Sequence, residues 1–181
     1  MKTNFILAAA AGAFLIAGCT EKALDAPKAA KPTPAPAPVA APAVPAQPFT
    51  NFQVAAGPNT AHTIGSYDAA TRTISAEKSQ AGALVFGPYT PLPAGKYRVT
   101  YLVTAESDAD GVEVGRVDVN AAMPGRPGDM VAQLPLKSAR GEQSIPLTFD
   151  ATGAGNLYEF RVWSNGKGNR VSFKTILVEK I

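Results

Sequence analysis

Alternation with a period of two runs through most of residues 49–181 and constrains the fold more than any other feature of this chain. In KYRVTYLVTA, QSIPLTFD and NLYEFRVWSN, large apolar side chains recur at every second position. This period is typical of a β-strand with one buried face. The segments between these runs are rich in Gly, Pro, Asn and Asp, as in ESDADG and SNGKGN. Short strands without amphipathic helices between them predict an antiparallel sandwich or barrel.

Ten segments are predicted as strands because they combine alternation, β-branched or aromatic residues and flanking turn residues. They are residues 50–55, 61–67, 71–76, 82–87, 96–105, 112–120, 130–136, 143–150, 156–165 and 170–179. In residues 112–120 the first two valines and the last two are out of phase. This change of phase predicts a β-bulge at Gly115 and Arg116.

Residues 49–181 have the composition of a single globular domain. A segment of 133 residues with a normal share of large apolar side chains is long enough for one hydrophobic core. It carries 13 Lys and Arg against 12 Asp and Glu, so the pI of about 9.0 for the whole chain says little about partners. No basic run is interleaved with aromatic residues, which argues against nucleic-acid binding.

Residues 20–48 have a different composition, in which 18 of 29 positions are Pro or Ala. Proline fixes φ and removes backbone donors, and the segment has almost no large apolar side chain to bury. We therefore predict a disordered, extended linker, which at about 3.1 Å per residue could reach about 90 Å. It either holds the domain away from a surface or is a passive spacer.

The N-terminus has the layout of a secretion signal. Lys2 is followed by the apolar run 5–16 and by the small residues Ala17 and Gly18, and this run is too short to span a bilayer. Next comes Cys19, the only cysteine of the chain, so it has no partner for an internal disulfide. A buried thiol, a reactive nucleophile and a site of modification all remain open for it.

The stretch from Ile16 to Cys19 resembles the lipobox of bacterial lipoproteins. The resemblance implies that residues 1–18 are a signal peptide cut before Cys19, and that Cys19 carries a diacylglyceryl group with palmitate-like chains. Two or more acyl chains hold a protein stably on a membrane. Thr20, where aspartate would imply inner-membrane retention, implies the outer membrane of a Gram-negative cell envelope. The alternative is an ordinary signal cut nearby, with an unmodified thiol.

Two stretches of the domain, FGPYTPLPAGKYRVTYLV at 86–103 and LYEFRVWSNG at 157–166, resemble carbohydrate-binding modules and the wider galactose-binding-like superfamily. The shared features are the Gly-Pro-Tyr and Leu-Pro-Ala-Gly turns before a Tyr-Arg-Val strand, and a late Glu-Phe-Arg-Val strand. The resemblance covers about residues 80–180 and implies a jelly-roll β-sandwich with a non-catalytic, carbohydrate-binding role. It assigns no binding residue by position.

A sugar site needs an aromatic surface for the apolar face of the ring, and charged or amide groups for its hydroxyls. On the strand at 157–163, Trp163, Arg161 and Glu159 share the face opposite the apolar one, and Asn165 follows in the loop. We predict that these four residues bind the ligand. The alternative is that Trp163 is partly buried structure and that the charges form a solvated cross-strand pair.

Further polar groups are predicted to join this site if their strands are neighbours. They are Arg116, Asp118 and Asn120 on the strand with the predicted bulge, and Arg98 on another strand.

Nothing in the sequence marks a catalytic centre, and no enzyme activity is predicted. His62, the only histidine, has no nucleophile or orienting acid near it in the sequence. No cofactor is predicted, although DADG at 108–111 leaves a structural calcium or a polar turn open.

The leading prediction is therefore a membrane-anchored, periplasmic or surface-facing lipoprotein that displays a carbohydrate-binding module to a glycan. The alternative is a structural or assembly lipoprotein whose sandwich docks on another envelope protein through a strand edge or an apolar patch.

Overall fold

A computed structural model describes residues 49–123, 125–126, 128–153 and 155–181, so the predicted signal peptide, lipidation at Cys19 and linker lie outside the described residues. The described part has eleven β-strands in two antiparallel sheets, and these pack as a sandwich. The predicted all-β jelly-roll sandwich is confirmed. Within these residues, no helix is long and apolar enough to cross a membrane.

The strands follow the predicted alternation with small differences at their ends. In chain order they are β1 Phe52–Ala55, β2 Ser66–Asp68, β3 Thr73–Glu77, β4 Ala81–Val85, β5 Thr90–Pro91, β6 Gly95–Glu106, β7 Glu113–Ala122, β8 Asp129–Lys137, β9 Ala139–Ala151, β10 Leu157–Asn165 and β11 Arg170–Lys180. One sheet has the order β2-β3-β11-β6-β9, with β1 also paired to β11. The other has the order β4-β10-β7-β8, with β5 also paired to β10.

The core lies between the inner faces of the two sheets and contains a cluster of aromatic rings. Phe149 on β9 stacks on Tyr97 of the same sheet at 5.6 Å between ring centres. From the opposite sheet, Tyr158 and Phe160 approach Phe149 at 5.6 and 6.2 Å. Because these alternate residues of β10 are buried in the core, the other side chains of β10 must face outward.

Two predicted boundaries were wrong. Residues 61–65 do not form a strand, because the chain bends through Gly65 at a φ of 82°, and only Ser66 and Tyr67 of the predicted segment belong to β2. The segment GPYTPLPAG was predicted as a turn. It contains the two-residue strand β5, which pairs with the start of β10.

The irregularity in β7 lies slightly before the predicted position. The pairing of β7 with β8 shifts between Glu113 and Gly115. A Cβ atom on Gly115 would lie 1.9 Å from the carbonyl oxygen of Trp163, so this position needs glycine for β7 and β10 to pair closely.

Packing at the N-terminal end of the sandwich leads to a first prediction. Phe49 contacts Tyr97 edge-on at 5.0 Å, so residue 49 already belongs to the core. A fragment of residues 49–181 should therefore unfold cooperatively with the same midpoint in thermal denaturation as residues 19–181. A control fragment of residues 57–181 should be less stable, because it lacks β1 and its pairing with β11. A large loss of stability on removing residues 19–48 alone would contradict the prediction.

Candidate binding site

The predicted site residues lie on the outer face of the five-stranded sheet. Tyr158 and Phe160 are buried between the sheets, at 1% and 0% exposure. Since side chains alternate along a strand, Glu159, Arg161 and Trp163 point away from the core and share one face of β10. This is the arrangement that the sequence predicts for the three residues.

Strand β7 lies beside β10 and brings a second set of polar side chains onto this face. The cross-strand pairs are Glu159 with Asn120, Arg161 with Asp118, and Trp163 with Arg116. The sequence predicts that the β7 residues join this site if β7 and β10 are neighbours. The two strands are paired, so this condition is met. Arg98 lies on β6 in the other sheet, so its predicted place in the site is wrong.

A buried carboxylate organises the centre of this face. Asp118 has no exposed surface, and its two oxygens accept hydrogen bonds from Arg116 Nε at 2.9 Å and Arg161 Nε at 2.5 Å. Arg161 Nη1 also lies 3.6 Å from Glu159 Oε2. A buried charge is tolerated when it is paired and hydrogen-bonded, as it is here. Asp118 therefore holds both guanidinium groups in fixed positions.

The two guanidinium groups lie against the indole of Trp163. The Cζ atoms of Arg116 and Arg161 are 4.7 and 5.5 Å from the ring centre, within the range of cation–π attraction. These side chains leave Trp163 partly buried rather than freely exposed. Its Nε1 atom is buried and finds no hydrogen-bond partner within the described part of the chain. The indole is thus held in one orientation, and its donor is unused.

Two hollows flank Arg116 on this face. One, of about 240 Å³, is lined by Trp163, Asn165 and Glu113 among others. The other, of about 220 Å³, is lined by Glu113, Gln133 and Pro135, and Arg116 borders both. Together they form a shallow depression that crosses the sheet from β10 to β8.

Asn165 borders the first hollow, but both ends of its amide serve the backbone. Nδ2 donates to the carbonyl of Glu113 at 2.9 Å, and Oδ1 accepts from the backbone N–H of Lys167. These bonds shape the turn after β10 and the edge of the hollow. Ligand binding by Asn165 stays a prediction, for which the amide keeps its second N–H and the second lone pair of Oδ1.

At the other end of the face, Glu159 lies close to a tyrosine that the sequence analysis missed. Tyr89 is 54% exposed, and hydrogen bonding to the Glu159 carboxylate raises the pKa of its hydroxyl. Tyr89 was missed because it lies in a turn segment, where no alternation predicts the direction of a side chain. The Gly-Pro-Tyr sequence itself was the only available signal.

Asn120 closes the same end of the face against the segment before β8. In the orientation that satisfies both ends of its amide, Nδ2 donates to the carbonyls of Gly128 and Asp129 at 3.3 and 3.1 Å, rather than to Glu159 at 3.4 Å. A Cβ atom at position 128 would lie 2.0 Å from this amide, so the close approach needs glycine. Asn120 is therefore a structural link more than a free polar group.

A buried tyrosine of the opposite sheet also holds the outer face of the five-stranded sheet in place. Tyr101 of the opposite sheet is fully buried and donates a hydrogen bond to the backbone carbonyl of Asp118 at 2.6 Å. Burial raises the pKa of Tyr101 well above its ordinary value, so its hydroxyl stays a donor at physiological pH. The position of Asp118, and with it both guanidinium groups, depends on both sheets.

The charges of this face are nearly balanced. Arg116 and Arg161 oppose Asp118, Glu159 and Glu113, so two positive charges face three negative ones. An anionic ligand would gain little from such a surface. Asp118 and Glu159 are only 0% and 5% exposed, so the groups that a ligand can reach here are mainly guanidinium donors and the indole. These groups suit a neutral ligand that offers hydroxyl oxygens and an apolar face.

The other candidate residues, His62 and the acidic segment 108–111, make local hydrogen bonds, and Asp108 and Asp110 line a separate hollow of about 400 Å³. Nδ1 of His62 lies 2.7 Å from the carbonyl of Thr60, which occupies one ring nitrogen. Asp108 accepts a hydrogen bond from Asn169 at 2.7 Å. Across residues 49–181 as described, no three acidic, histidine or cysteine side chains come together to hold a metal ion.

No family model and no curated protein matches this sequence. Among solved structures, similar chains include the C-terminal family 6 carbohydrate-binding module of a laminarinase from Zobellia galactanivorans, with 12% identity over 72% of this chain and 100% of that chain and a TM-score of 0.46. A family 35 module from Cellvibrio japonicus has 14% identity over 72% and 93%, with a TM-score of 0.48.

Proposed function

We propose that this protein is a lipid-anchored, non-catalytic glycan-binding protein, and that the outer face of the five-stranded sheet is its binding surface. The observation that carries the proposal is the contact of the Trp163 indole with two guanidinium groups, both of which are fixed by the buried Asp118. The ligand contacts would come from Trp163, Arg161, Glu159 and Arg116.

The chemistry of this surface matches a neutral sugar. A pyranose ring presents C–H groups that pack on an indole, and hydroxyl groups that need both donors and acceptors. A guanidinium group has five N–H donors, so Arg116 keeps several after its Nε has bonded to Asp118. Because the ion pairs already fix both arginines, little side-chain entropy is lost when a ligand binds.

The location of the protein is part of the proposal and rests on the sequence. Lipidation of Cys19 would anchor it to the outer membrane, and the Pro- and Ala-rich residues 20–48 would hold the sandwich away from the lipid surface. Such an arrangement suits the capture of envelope or extracellular polysaccharide near a cell.

The proposal is tested by retention on polysaccharides. The full chain, purified from membranes in a detergent without a sugar headgroup, is run through native gels that contain soluble glucans, galactans, mannans or xylans. It is also mixed with insoluble cellulose, chitin and peptidoglycan. We expect selective retention by at least one neutral polysaccharide, weakened by free oligosaccharide of the same type. Uniform mobility in every gel and no binding to the insoluble materials would overturn the proposal.

A second candidate function, docking on another envelope protein, has one specific observation in its favour. Strand β8 lies at an edge of the five-stranded sheet, and it carries Met130, Val131 and Leu134 at 48%, 41% and 37% exposure. Exposed apolar edges are sites of strand addition. However, Pro135 in the same strand removes a backbone donor from the ladder and disfavours such pairing. We therefore place the glycan-binding function first.

A further inference from the structure

We propose that the ligand is an extended chain of several sugar units, and that Tyr89 forms a second aromatic contact at the far end of the surface from Trp163. This inference rests on the proposed glycan-binding function and deepens it by naming the size class of the ligand and a further binding residue.

The first observation is the exposure of Tyr89. It is 54% exposed, whereas Tyr97, Tyr101 and Tyr158 are buried in the core at 0–1%. Tyr is among the residue types that contribute most to binding at protein interfaces, and an exposed ring beside a polar surface can take that role. The Glu159 carboxylate, a group of the binding surface, raises the pKa of the Tyr89 hydroxyl, so the two side chains are neighbours.

The second observation is the position of Tyr89 along β10. The adjacent residue Thr90 pairs with Tyr158, and the carbonyl of Gly87 accepts a hydrogen bond from the backbone N–H of Phe160 at 3.2 Å. The segment that carries Tyr89 therefore runs beside the start of β10, at the Glu159 end. Trp163 lies four residues beyond Glu159 on β10, so the Cα atoms of these two residues are about 13 Å apart.

The third observation is the order of chemical groups between these rings. Glu159 and Arg161 lie between Tyr89 and Trp163 on the same face of β10. The surface thus alternates an aromatic ring, a polar pair and a second aromatic ring. One sugar ring is shorter than the backbone span from Glu159 to Trp163, whereas an extended oligosaccharide can place one unit near each aromatic side chain and its hydroxyl groups near the polar pair between them.

A hollow beside Tyr89 lengthens this surface. It has a volume of about 510 Å³, and its mainly apolar lining includes Tyr89 together with Val54, Pro58, Phe86 and Pro88. Its volume exceeds that of each of the two hollows that flank Arg116. A chain that leaves the polar pair at Glu159 would continue over the tyrosine ring into this hollow.

The test is the dependence of affinity on ligand length. The full chain is titrated in a calorimeter with cellobiose to cellohexaose and with laminaribiose to laminarihexaose, in a detergent without a sugar headgroup. We expect affinity for one series to rise at least tenfold from the disaccharide to the pentasaccharide. Tyr89→Ala should lower affinity for the pentasaccharide at least tenfold and leave that for the disaccharide within twofold. Tyr89→Phe, which keeps the ring, should bind the pentasaccharide within about threefold of the unchanged chain.

The outcomes separate the two proposals. Thermal denaturation should give Tyr89→Ala the midpoint of the unchanged chain, because the side chain is exposed. If Trp163→Ala weakens binding while Tyr89→Ala does not, or if all lengths bind equally, the inference about Tyr89 is wrong and the glycan-binding surface stands. If neither series binds to the unchanged chain, the titration is repeated with oligosaccharides of the polysaccharide that the gels retain, and equal affinity for all lengths there overturns the inference. Retention by no polysaccharide overturns both proposals.

Discussion

Replacing Asp118 by alanine is expected to lower the free energy of unfolding by about 3 kcal/mol, near the lower end of the range for breaking a buried ion pair. The carboxylate is fully buried and bonded to two arginines. Without it, Arg116 can turn toward water, since 40% of its side chain is exposed, and this costs little. Arg161 is only 17% exposed and would keep a positive charge beside Trp163 with Glu159 as its remaining partner.

Chemical denaturation of the Asp118→Ala chain measures this effect, with Asp118→Asn and Asp129→Ala as controls. Asparagine keeps one acceptor of the same shape but loses the charge, so an intermediate loss of stability is expected. Asp129 is an exposed aspartate on β8, and its replacement should change the free energy of unfolding by less than about 0.5 kcal/mol. A loss for Asp118→Ala as small as that for Asp129→Ala would show that the network does not hold the face together.

Replacing Cys19 by serine is expected to move the protein from the membrane fraction to the soluble fraction. A serine oxygen cannot form the thioether to the lipid, and a Pro- and Ala-rich linker without acyl chains has too few large apolar side chains to bind a bilayer. The midpoint of thermal unfolding should stay the same, because Cys19 lies 30 residues before Phe49, the first residue of the described sandwich. Ultracentrifugation of lysates and labelling with radioactive palmitate measure the two effects.

A matched variant separates anchoring from sorting. Thr20→Asp should keep the fatty-acid label but move the protein from the outer to the inner membrane in a density gradient, if the sorting rule of bacterial lipoproteins holds here. The lipid anchor would be contradicted by a Cys19→Ser chain that stays in the membrane fraction and carries as much label as the unchanged chain.

The sequence predicted the direction of side chains along single strands well, because alternation is a local property. It predicted that Glu159, Arg161 and Trp163 share a face, and the burial of Tyr158 and Phe160 confirms this. Two-residue alternation also predicted the strands that contain most of the core.

Features that depend on pairing between distant strands could not be predicted in the same way. Nothing local distinguishes Arg98 on β6 from Arg116 on β7, yet only β7 lies beside β10. The partial burial of Trp163 has the same origin, because Arg116 reaches the indole only through the cross-strand pairing of β7 and β10. Tyr89 escaped prediction because turn residues have no period, and its place beside Glu159 follows from the short pairing of β5 with β10.

We propose that the outer face of the five-stranded sheet binds glycan through Trp163. The Trp163→Ala chain is the most direct test of this binding. Affinity for the polysaccharide retained in the gels should fall by about 2 kcal/mol, or about 30-fold, as for a central aromatic anchor. The free energy of unfolding should fall by less than about 2 kcal/mol, since mainly the cation–π contacts of a partly buried ring are lost. Arg98→Ala, on the other sheet, should change neither quantity.

The measurement is a pair of experiments on the same three proteins, namely the unchanged chain, Trp163→Ala and Arg98→Ala, by affinity electrophoresis and by chemical denaturation. If Trp163 is a binding residue, Trp163→Ala should lose retention in the gel and keep most of its free energy of unfolding. This role would be contradicted by unchanged retention of Trp163→Ala in the gel. It would also be contradicted by a loss of stability of about 3 to 5 kcal/mol, the range for a fully buried tryptophan, since Trp163 would then be part of the core and not of a binding surface.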